Sequence, residues 1–228
     1  MRLLRSRLGR HGLRHGVAMS LEHIAVVSQL EPTCVVDVGA NKGQFSLLCR
    51  ELFPEVPIVA YEPLTRPSGI FENLFSGDSQ VELHRVAIGA MNAIVDMHVA
   101  ASDDSSSVLP IGELQASLWP DTNEIGREQV SMRPLSETLS GTNIGSAPLL
   151  KVDVQGYEYE VLAGAEDLAV FRWLLVEVSF SELYEGQHLF KDVAELAAAH
   201  GFALSLLYSP TIDRGGVVVQ ADALFIRG

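Results

Sequence analysis

Short apolar runs and helical periodicities alternate along the chain. Residues 34–38 form an apolar run interrupted by one aspartate, and residues 58–61 form a second run. Between the two runs an apolar stripe recurs at helical spacing, made of Phe45, Leu48, Cys49, Leu52 and Phe53. Apolar runs without alternation are typical of strands that are buried on both faces of a parallel sheet. The pattern therefore predicts a doubly wound α/β sheet.

The alternation continues to the C-terminus. We predict three further strands in this region, at 81–88, 149–154 and 171–178. We predict three helices between and after them, at roughly 66–75, 156–163 and 190–197. The last two strands, 202–207 and 217–226, are separated by a turn that contains Gly215 and Gly216, which indicates an antiparallel pair.

One segment interrupts this order. Residues 93–99 alternate between apolar and polar as in a strand at a sheet edge, and we predict that residues 130–132 pair with them. The intervening residues 102–126 are rich in Ser, Asp, Gly and Pro, which predicts a long loop of functional importance. We interpret the chain as a single domain over 20–228 with an insertion at about 93–133.

The first nineteen residues differ from the rest in charge. Five arginines precede Glu22, the first acidic residue. We interpret residues 1–19 as a basic N-terminal arm, solvated and partly frayed, followed by a helix that Ser20 caps and that ends near Pro32. The alternative for the arm is a weak contact with an anionic membrane surface or a partner. No apolar segment resembles a signal peptide or a transmembrane span, so we expect a cytoplasmic protein.

Composition narrows the class of ligand. The net charge of −13 argues against nucleic acid as a partner, because such binding needs clustered Lys and Arg. A small molecule or a neutral polymer fits better. Cys34 and Cys49 lie in apolar contexts without a metal-binding spacing, which is typical of buried thiols in a reducing compartment. The oligomeric state is left open.

The first chemical signal is the turn from Asp37 to Gly43 after the first strand. Glycines permit a tight turn and the close approach of a ligand, and the following helix presents its N-terminus. The spacing G-x-x-x-G differs from the G-x-G-x-x-G of dinucleotide sites. A carboxylate at Asp37 suits an ammonium and would repel a pyrophosphate. The turn therefore favours S-adenosylmethionine (SAM) over NAD, although a structural turn without a ligand is the alternative.

The second signal is Glu62, at the end of the second strand. Adjacent strand ends face one crevice at the switch point of a doubly wound sheet, and an acid there can accept both hydroxyls of a ribose. A glutamate at a strand end is otherwise commonplace. Its pairing with the first turn is what indicates an adenosine ligand.

Four ordered motifs resemble the FkbM family of methyltransferases, over about residues 33–208. They are Val36–Ser46, Tyr61-Glu62-Pro63, Val86–Gly89 and Leu150–Glu158. The resemblance implies a Rossmann-like class I SAM methyltransferase fold, a three-layer sandwich with a mostly parallel seven-stranded sheet and an antiparallel last strand. It also implies O-methylation of a sugar, a glycolipid or another secondary metabolite.

The resemblance also implies the cofactor-binding residues. The SAM loop comprises Asp37, Gly39, Ala40, Asn41, Gly43 and Phe45. Glu62 and Pro63 are implied at the ribose, and Ala87 and Ile88 near the adenine. Many relatives have Glu at the position of Gln155, which leaves a charged role for residue 155 in doubt.

The third signal is a pair of charges in one predicted strand. Lys151 and Asp153 flank one apolar residue, so both side chains point to the same face. Glu177 occupies a similar place near the end of the next strand. Two carboxylates at neighbouring strand ends are compatible with a divalent cation such as Mg²⁺. The alternative is that Asp153 contacts SAM or the acceptor while Lys151 pairs with it and Glu177 caps a neighbouring element. We assign no metal ligand.

Transfer of a methyl group to a hydroxyl benefits from a base. Asp153 is our first candidate and His188 the second, with Lys151 and Glu177 as supporting catalytic residues. We expect the acceptor, a small molecule with a hydroxyl group, to be selected by the loops 102–126 and 179–190. Two other hypotheses stay open: an N- or protein methyltransferase of the same fold, and a SAM-binding protein without transferase activity.

Overall fold

The computed structural model describes residues 6–228, and its centre is a seven-stranded sheet. The strands of the chain are β1 Val35–Val38, β2 Ile58–Tyr61, β3 Val81–His84, β4 Ala87–Ile88, β5 Ala93–Ala100, β6 Glu124–Arg133, β7 Leu149–Val152, β8 Trp173–Ser179, β9 Phe202–Ile212 and β10 Val218–Arg227. The large sheet has the order β3-β2-β1-β7-β8-β10-β9, and β10 runs antiparallel to both neighbours. The predicted sheet with its antiparallel last strand is confirmed.

Helices cover both faces of this sheet. Their bounds are α1 Arg7–Arg14, α2 Ile24–Val27, α3 Gln44–Leu52, α4 Thr65–Leu74, α5 Glu113–Leu118, α6 Leu135–Thr138, α7 Glu158–Ala163 and α8 Phe190–Ala199. Alternate residues of β1 enter opposite cores: Val36 packs in the cluster that contains residues of α7 and α8, and Val35 packs with residues of α2 and α3. The three-layer sandwich follows from this two-sided burial. None of the described helices combines the length and apolarity that a bilayer span requires.

The insertion forms a second, smaller sheet. We predicted one strand over 81–88, but the chain bends after β3 and β4 pairs instead with β6 in the order β4-β6-β5. The amide of Val86 donates to the carbonyl of His84 at this bend. The predicted pairing of 93–99 with 130–132 is confirmed, with Val95 opposite Val130. The segment 102–126 is more ordered than we predicted, since it contains α5.

The N-terminal segment also differs from expectation. Residues 1–5 of the expected arm, with Arg2 and Arg5, lie outside the described residues. The part that follows is α1, whose first turn is capped by the Ser6 hydroxyl accepting from the amide of Gly9 at 2.9 Å. The described part of the segment packs on the domain, because Val17 and Met19 are buried against α3 and α4. The predicted helix after Ser20 is reduced to a short 3₁₀ turn and α2.

Candidate active site

A cavity of about 630 Å³ opens at the carboxyl ends of the central strands. Most of the predicted cofactor residues line it, namely Gly39, Ala40, Asn41, Phe45, Glu62, Pro63, Ala87, Ile88 and Asp153. Lys151, Gln155 and Glu177 line it as well. The crevice at the switch point of the sheet therefore brings together residues from four separate motifs.

Glu62 joins the loops that follow β1 and β2. Its Oε2 accepts the amide of Asn41 at 3.0 Å, and its Oε1 accepts the amide of Leu64 at 2.9 Å. Burial raises the pKa of Glu62 to about 7. Each carboxylate oxygen can accept a second hydrogen bond, so the side chain is held in place and still able to receive two hydroxyl groups.

Asn41 presents an unmet acceptor beside Glu62. The residue adopts a left-handed conformation with φ of 48°. Its side-chain Oδ1 is buried, and no donor within residues 6–228 reaches it. A buried oxygen without a donor costs free energy, which a ligand with an N–H or O–H group would recover.

The structure does not place Asp37 in the cavity. Its side chain is fully buried in β1, opposite Lys151 of β7 in the strand register. Lys151 Nζ lies 3.3 Å from Asp37 Oδ1, and the Ser46 hydroxyl donates to Oδ2 at 2.7 Å. We expected Asp37 to contact the ammonium group of the ligand, but its side chain lies beneath the cavity and contacts Lys151. Its role is to anchor Lys151.

The two glycines of the β1 turn serve packing. Gly39 has φ of 80°, and a Cβ there would overlap the carbonyl of Asp153. Gly43 has φ of 95° and lies against Phe71 and Phe75 of the α4 region, away from the cavity. The spacing that suggested a ligand therefore reflects, first of all, how closely β1 meets β7 and how α3 begins.

Lys151 and Asp153 form an ion pair at the cavity floor. Lys151 Nζ lies 3.4 Å from Asp153 Oδ2 and donates to the carbonyl of Gly39 at 3.1 Å. Burial alone would lower the pKa of Lys151, but the carboxylates of Asp153 and Asp37 raise it above its ordinary value. Burial would likewise raise the pKa of Asp153, but Lys151 holds it below its ordinary value. Asp153 is therefore ionised at neutral pH.

Gln155 bridges the two carboxylates of the site. Its Nε2 donates to Asp153 Oδ1 and to Glu177 Oε2, each at 2.8 Å. The Tyr184 hydroxyl lies 2.9 Å from its Oε1. Burial and the neighbouring charge of Asp153 raise the pKa of Glu177 well above its ordinary value. The family resemblance indicated that Gln155 departs from the usual residue. In the structure its amide links Asp153 to Glu177 by two hydrogen bonds.

The side-chain amide of Gln155 also determines whether these carboxylates can bind a metal ion. Oxygen atoms of Asp153, Glu158 and Glu177 lie within 4.8 Å of one another. However, Glu158 accepts the amides of Val154 and Gly156, and the Gln155 amide nitrogen binds the other two carboxylates. An N–H donor cannot ligate a cation. The residues as arranged do not fit a divalent ion.

His23 is a cavity residue that sequence reasoning missed. Its Nδ1 lies 2.7 Å from the Tyr208 hydroxyl, and its ring packs edge-on against Phe45 at 5.3 Å. Burial, and then the charge of Lys151, lower the pKa of His23 to about 4. The imidazole is therefore neutral at neutral pH. No local pattern marks this histidine, because Tyr208 lies 185 positions away.

His188, our second candidate base, does not line the cavity. Its ring stacks on Tyr159 at 3.9 Å, and its nitrogens lie 3.6 Å from Glu160 and 3.5 Å from Asp192. The start of α8 turns this side chain toward α7, so a role as base is not supported.

The two candidate specificity loops also differ. The first loop, 102–126, supplies Ser105, Ser106 and Trp119 to the cavity lining. No residue of 179–190 lines it. Tyr184, in the second loop, donates a hydrogen bond to Gln155, which does line the cavity.

Comparisons with known proteins show the family of the chain. The Methyltransferase FkbM domain family matches residues 37–204. The 2-O-methyltransferase NoeI of Sinorhizobium fredii is 28% identical over 81% of this chain and 80% of its own length. The 31-O-demethyl-FK506 methyltransferase FkbM of Streptomyces tacrolimicus is 27% identical over 93% of this chain and 80% of its own length. A solved fibrillarin/Nop5p complex has a TM-score of 0.50 at 13% identity, covering 92% of this chain and 81% of that one, which is a likeness of fold alone.

Proposed function

Because the chain belongs to the FkbM-domain family and is a SAM-dependent methyltransferase, we propose that it methylates a hydroxyl oxygen of a sugar, a glycolipid or another secondary metabolite. The observation that carries this proposal is the charge of the cavity. Acidic residues outnumber the one lysine in its lining, with Glu22, Glu62, Asp104, Asp153 and Glu177 against Lys151. Burial raises the pKa of Glu62 and Glu177, so the negative charge held at the cavity floor is that of Asp153. An acidic cavity favours a cationic cofactor over one with a pyrophosphate.

The residues present fit SAM. Glu62 would hold the ribose hydroxyls with its two remaining acceptor sites. Asn41 Oδ1 would accept a donor from the ligand, which would satisfy its unmet hydrogen bond. Ala87 and Ile88 would form an apolar wall for the adenine. Asp153 would supply negative charge for the ammonium and sulfonium groups, the part that we had expected of Asp37.

SAM supplies an electrophilic methyl group, and the chain has to align the acceptor and take up its proton. Alignment by itself accounts for much of the catalysis in such a transfer. Asp153 is ionised and partly open to the cavity, so it accepts a hydrogen bond from the acceptor hydroxyl and then its proton. Gln155 fixes the orientation of this carboxylate, and Glu177 is the second proton-holding group of the pair.

The far wall of the cavity supports an uncharged, hydroxylated acceptor. His23, Thr211 and Gln220 line it beside the acidic Glu22, and the imidazole is neutral. The insertion adds Ser105 and Ser106. NoeI is a 2-O-methyltransferase, and the Streptomyces enzyme is a 31-O-demethyl-FK506 methyltransferase. We extend the oxygen acceptor to this chain by that similarity.

The test is methyl transfer from isotopically labelled SAM to a panel of hydroxylated glycosides, glycolipids and amines, with mass detection and NMR location of the methyl. We expect labelled O-methyl products from the wild type and none from Glu62→Ala. His188→Ala is the matched control and should retain activity, because its side chain lies outside the cavity. Labelled N-methyl products alone, or SAM binding without any transfer, would contradict the proposal.

A further inference from the structure

The two edges of the large sheet are built differently. The edge strand β3 has four residues, and its exposed Glu82 places a charge there. The other edge strand, β9, has eleven residues from Phe202 to Ile212, and none of them is charged. Short or charged strands protect a sheet from pairing with another chain. The chain protects one edge in this way and leaves the other without charge.

The edge at β9 is also apolar on both of its faces. Leu204 pairs with Phe225 on one side of a bulge and Leu206 pairs with Leu224 on the other, so the two leucines project to opposite faces. The large apolar side chains that are exposed here are between 37% and 57% accessible: Leu204, Leu206, Leu207, Ile212, Val217 and Val218. Contiguous exposed apolar residues of this kind mark interaction surfaces.

The backbone of β9 has open hydrogen-bonding groups as well. Within residues 6–228 no strand pairs with its outer side. Pro210 lacks an N–H, which confines regular pairing to the part of the strand before it. The stretch 202–209 is therefore a free edge with donors, acceptors and leucines.

An open strand edge is self-complementary, which favours a second copy of the chain as its occupant. The chain has a net charge of −13, so two copies repel each other wherever their acidic surfaces meet. Because β9 has no charged residue, pairing along it brings no carboxylates of the two strands together. A two-fold axis would place the same strand of a second copy antiparallel to β9, and each copy would satisfy the open edge of the other. The combined sheet would then end at a short, charged β3 on both sides.

We propose that the stretch 202–209 of β9 is the interface of a homodimer, in which two copies join their large sheets edge to edge.

The test uses Leu206→Lys, which places a charge at the edge of each copy. Analytical ultracentrifugation over a range of concentrations should show a dimer for the wild type. The variant should raise the dimer dissociation constant by at least about tenfold. The matched control is Ile94→Lys, on the exposed face of β5, which should leave the dimer unchanged. Circular dichroism of both variants checks the fold, and Leu206→Ser replaces Leu206→Lys if the latter is unfolded.

A second measurement needs no variant. Hydrogen exchange of the amides at 202–209 should slow by about tenfold or more when the wild type passes from dilution to the concentration at which it dimerises. A wild type that stays monomeric, a dimer that Leu206→Lys does not weaken, or exchange at 202–209 that ignores concentration would each overturn the proposal. Binding of a monomeric wild type to neutral phospholipid vesicles, lost in Leu206→Lys, would assign the same surface to lipid.

Discussion

The two ends of the cavity are assembled in different ways. The cavity residues that we propose for the cofactor lie in or directly after strands, with Asn41 after β1, Glu62 after β2 and Ala87 in β4. The residues that we propose for the acceptor come from distant segments, with His23 before the sheet begins and Thr211 on the last hairpin. One end depends on local turns, and the other exists only after the whole chain has folded.

This difference predicts different responses to mutation. Changes at the tips of β1 and β7 should disturb folding or cofactor binding as a whole, because these backbones are in contact. Changes on the far wall should act on the acceptor and on pH dependence while the cofactor still binds. Four variants test the contrast, in order of the effect expected.

The largest effect is expected for Gly39→Ala. The new Cβ would overlap the carbonyl of Asp153 in addition to the strain of φ at 80°, so β1 and β7 cannot keep their spacing. We expect the free energy of unfolding, measured with urea, to fall by about 5 kcal/mol or more. A fall of this size is comparable to the whole stability of many domains. Gly77→Ala is the control, with φ of 89° and nothing within 4 Å, and should lose only about 1 kcal/mol. Equal losses in the two variants would show that the strand contact is unimportant.

Asp153→Asn should cost about 10²- to 10⁴-fold in kcat while leaving the fold intact. Asparagine keeps the shape and can still contact Gln155, but it cannot take up the acceptor proton. The measurement is steady-state methyl transfer with the acceptor identified by the panel. His188→Asn serves as the control and should fall within about twofold of wild type on the usual scale of neutral surface changes. A normal kcat for Asp153→Asn would move the proton to another group.

His23→Gln should change how stability depends on pH. The folded pKa of His23 is about 4, below its unfolded value of 6.5, so the unfolded state binds the proton first as the pH falls. The wild type should therefore lose up to about 3 kcal/mol between pH 6.5 and pH 4 from this group alone, and none above pH 6.5. Glutamine lacks this loss. The check is the difference between urea unfolding curves of the two proteins across that range, in which carboxylates away from residue 23 cancel. Glu22 and Asp222 lie 3.7 and 3.9 Å from His23 and contribute to the difference. If the stabilities of the two proteins changed with pH in parallel, the lowered pKa of His23 would be excluded.

Glu62→Gln should weaken SAM binding by about 10- to 150-fold, because one amide donor of the loops would face an N–H₂ group in place of an oxygen. Isothermal titration calorimetry with SAM measures the effect. Glu82→Gln, an exposed acid on β3, is the control and should bind SAM normally. Tight binding by Glu62→Gln would remove the ribose assignment.

Sequence reasoning worked best where function and local structure coincide. The turn follows the run at 34–38 directly, and Glu62 follows the next apolar run directly. Periodicity and turn residues therefore identify strand, loop and helix in this part of the chain. The pairing of residues 93–99 with 130–132 could also be predicted, because each segment alternates and the loop between them is polar. The bend after His84 could not, since apolar residues lie on both sides of His84-Arg85 and no glycine or proline marks the bend.

The errors at Asp37 and His188 share a physical cause. Asp37 and His188 carry the residue types that the chemistry requires, but neither faces the cavity, because Asp37 pairs with Lys151 across the strand register and His188 stacks on Tyr159. His23 was missed for the opposite reason. Its position is decided by Phe45 and Tyr208, and such long-range packing leaves no periodic trace near residue 23.

Gln155 gives the site an evolutionary neighbour one substitution away. Glutamate has nearly the same shape, so Gln155→Glu would exchange a neutral clamp for a third acid between Asp153 and Glu177. Three carboxylates at that spacing repel one another until a proton or a cation neutralises them. In this chain the neutral amide of Gln155 links Asp153 to Glu177 by two hydrogen bonds, so the two acids sit together without a third charge between them.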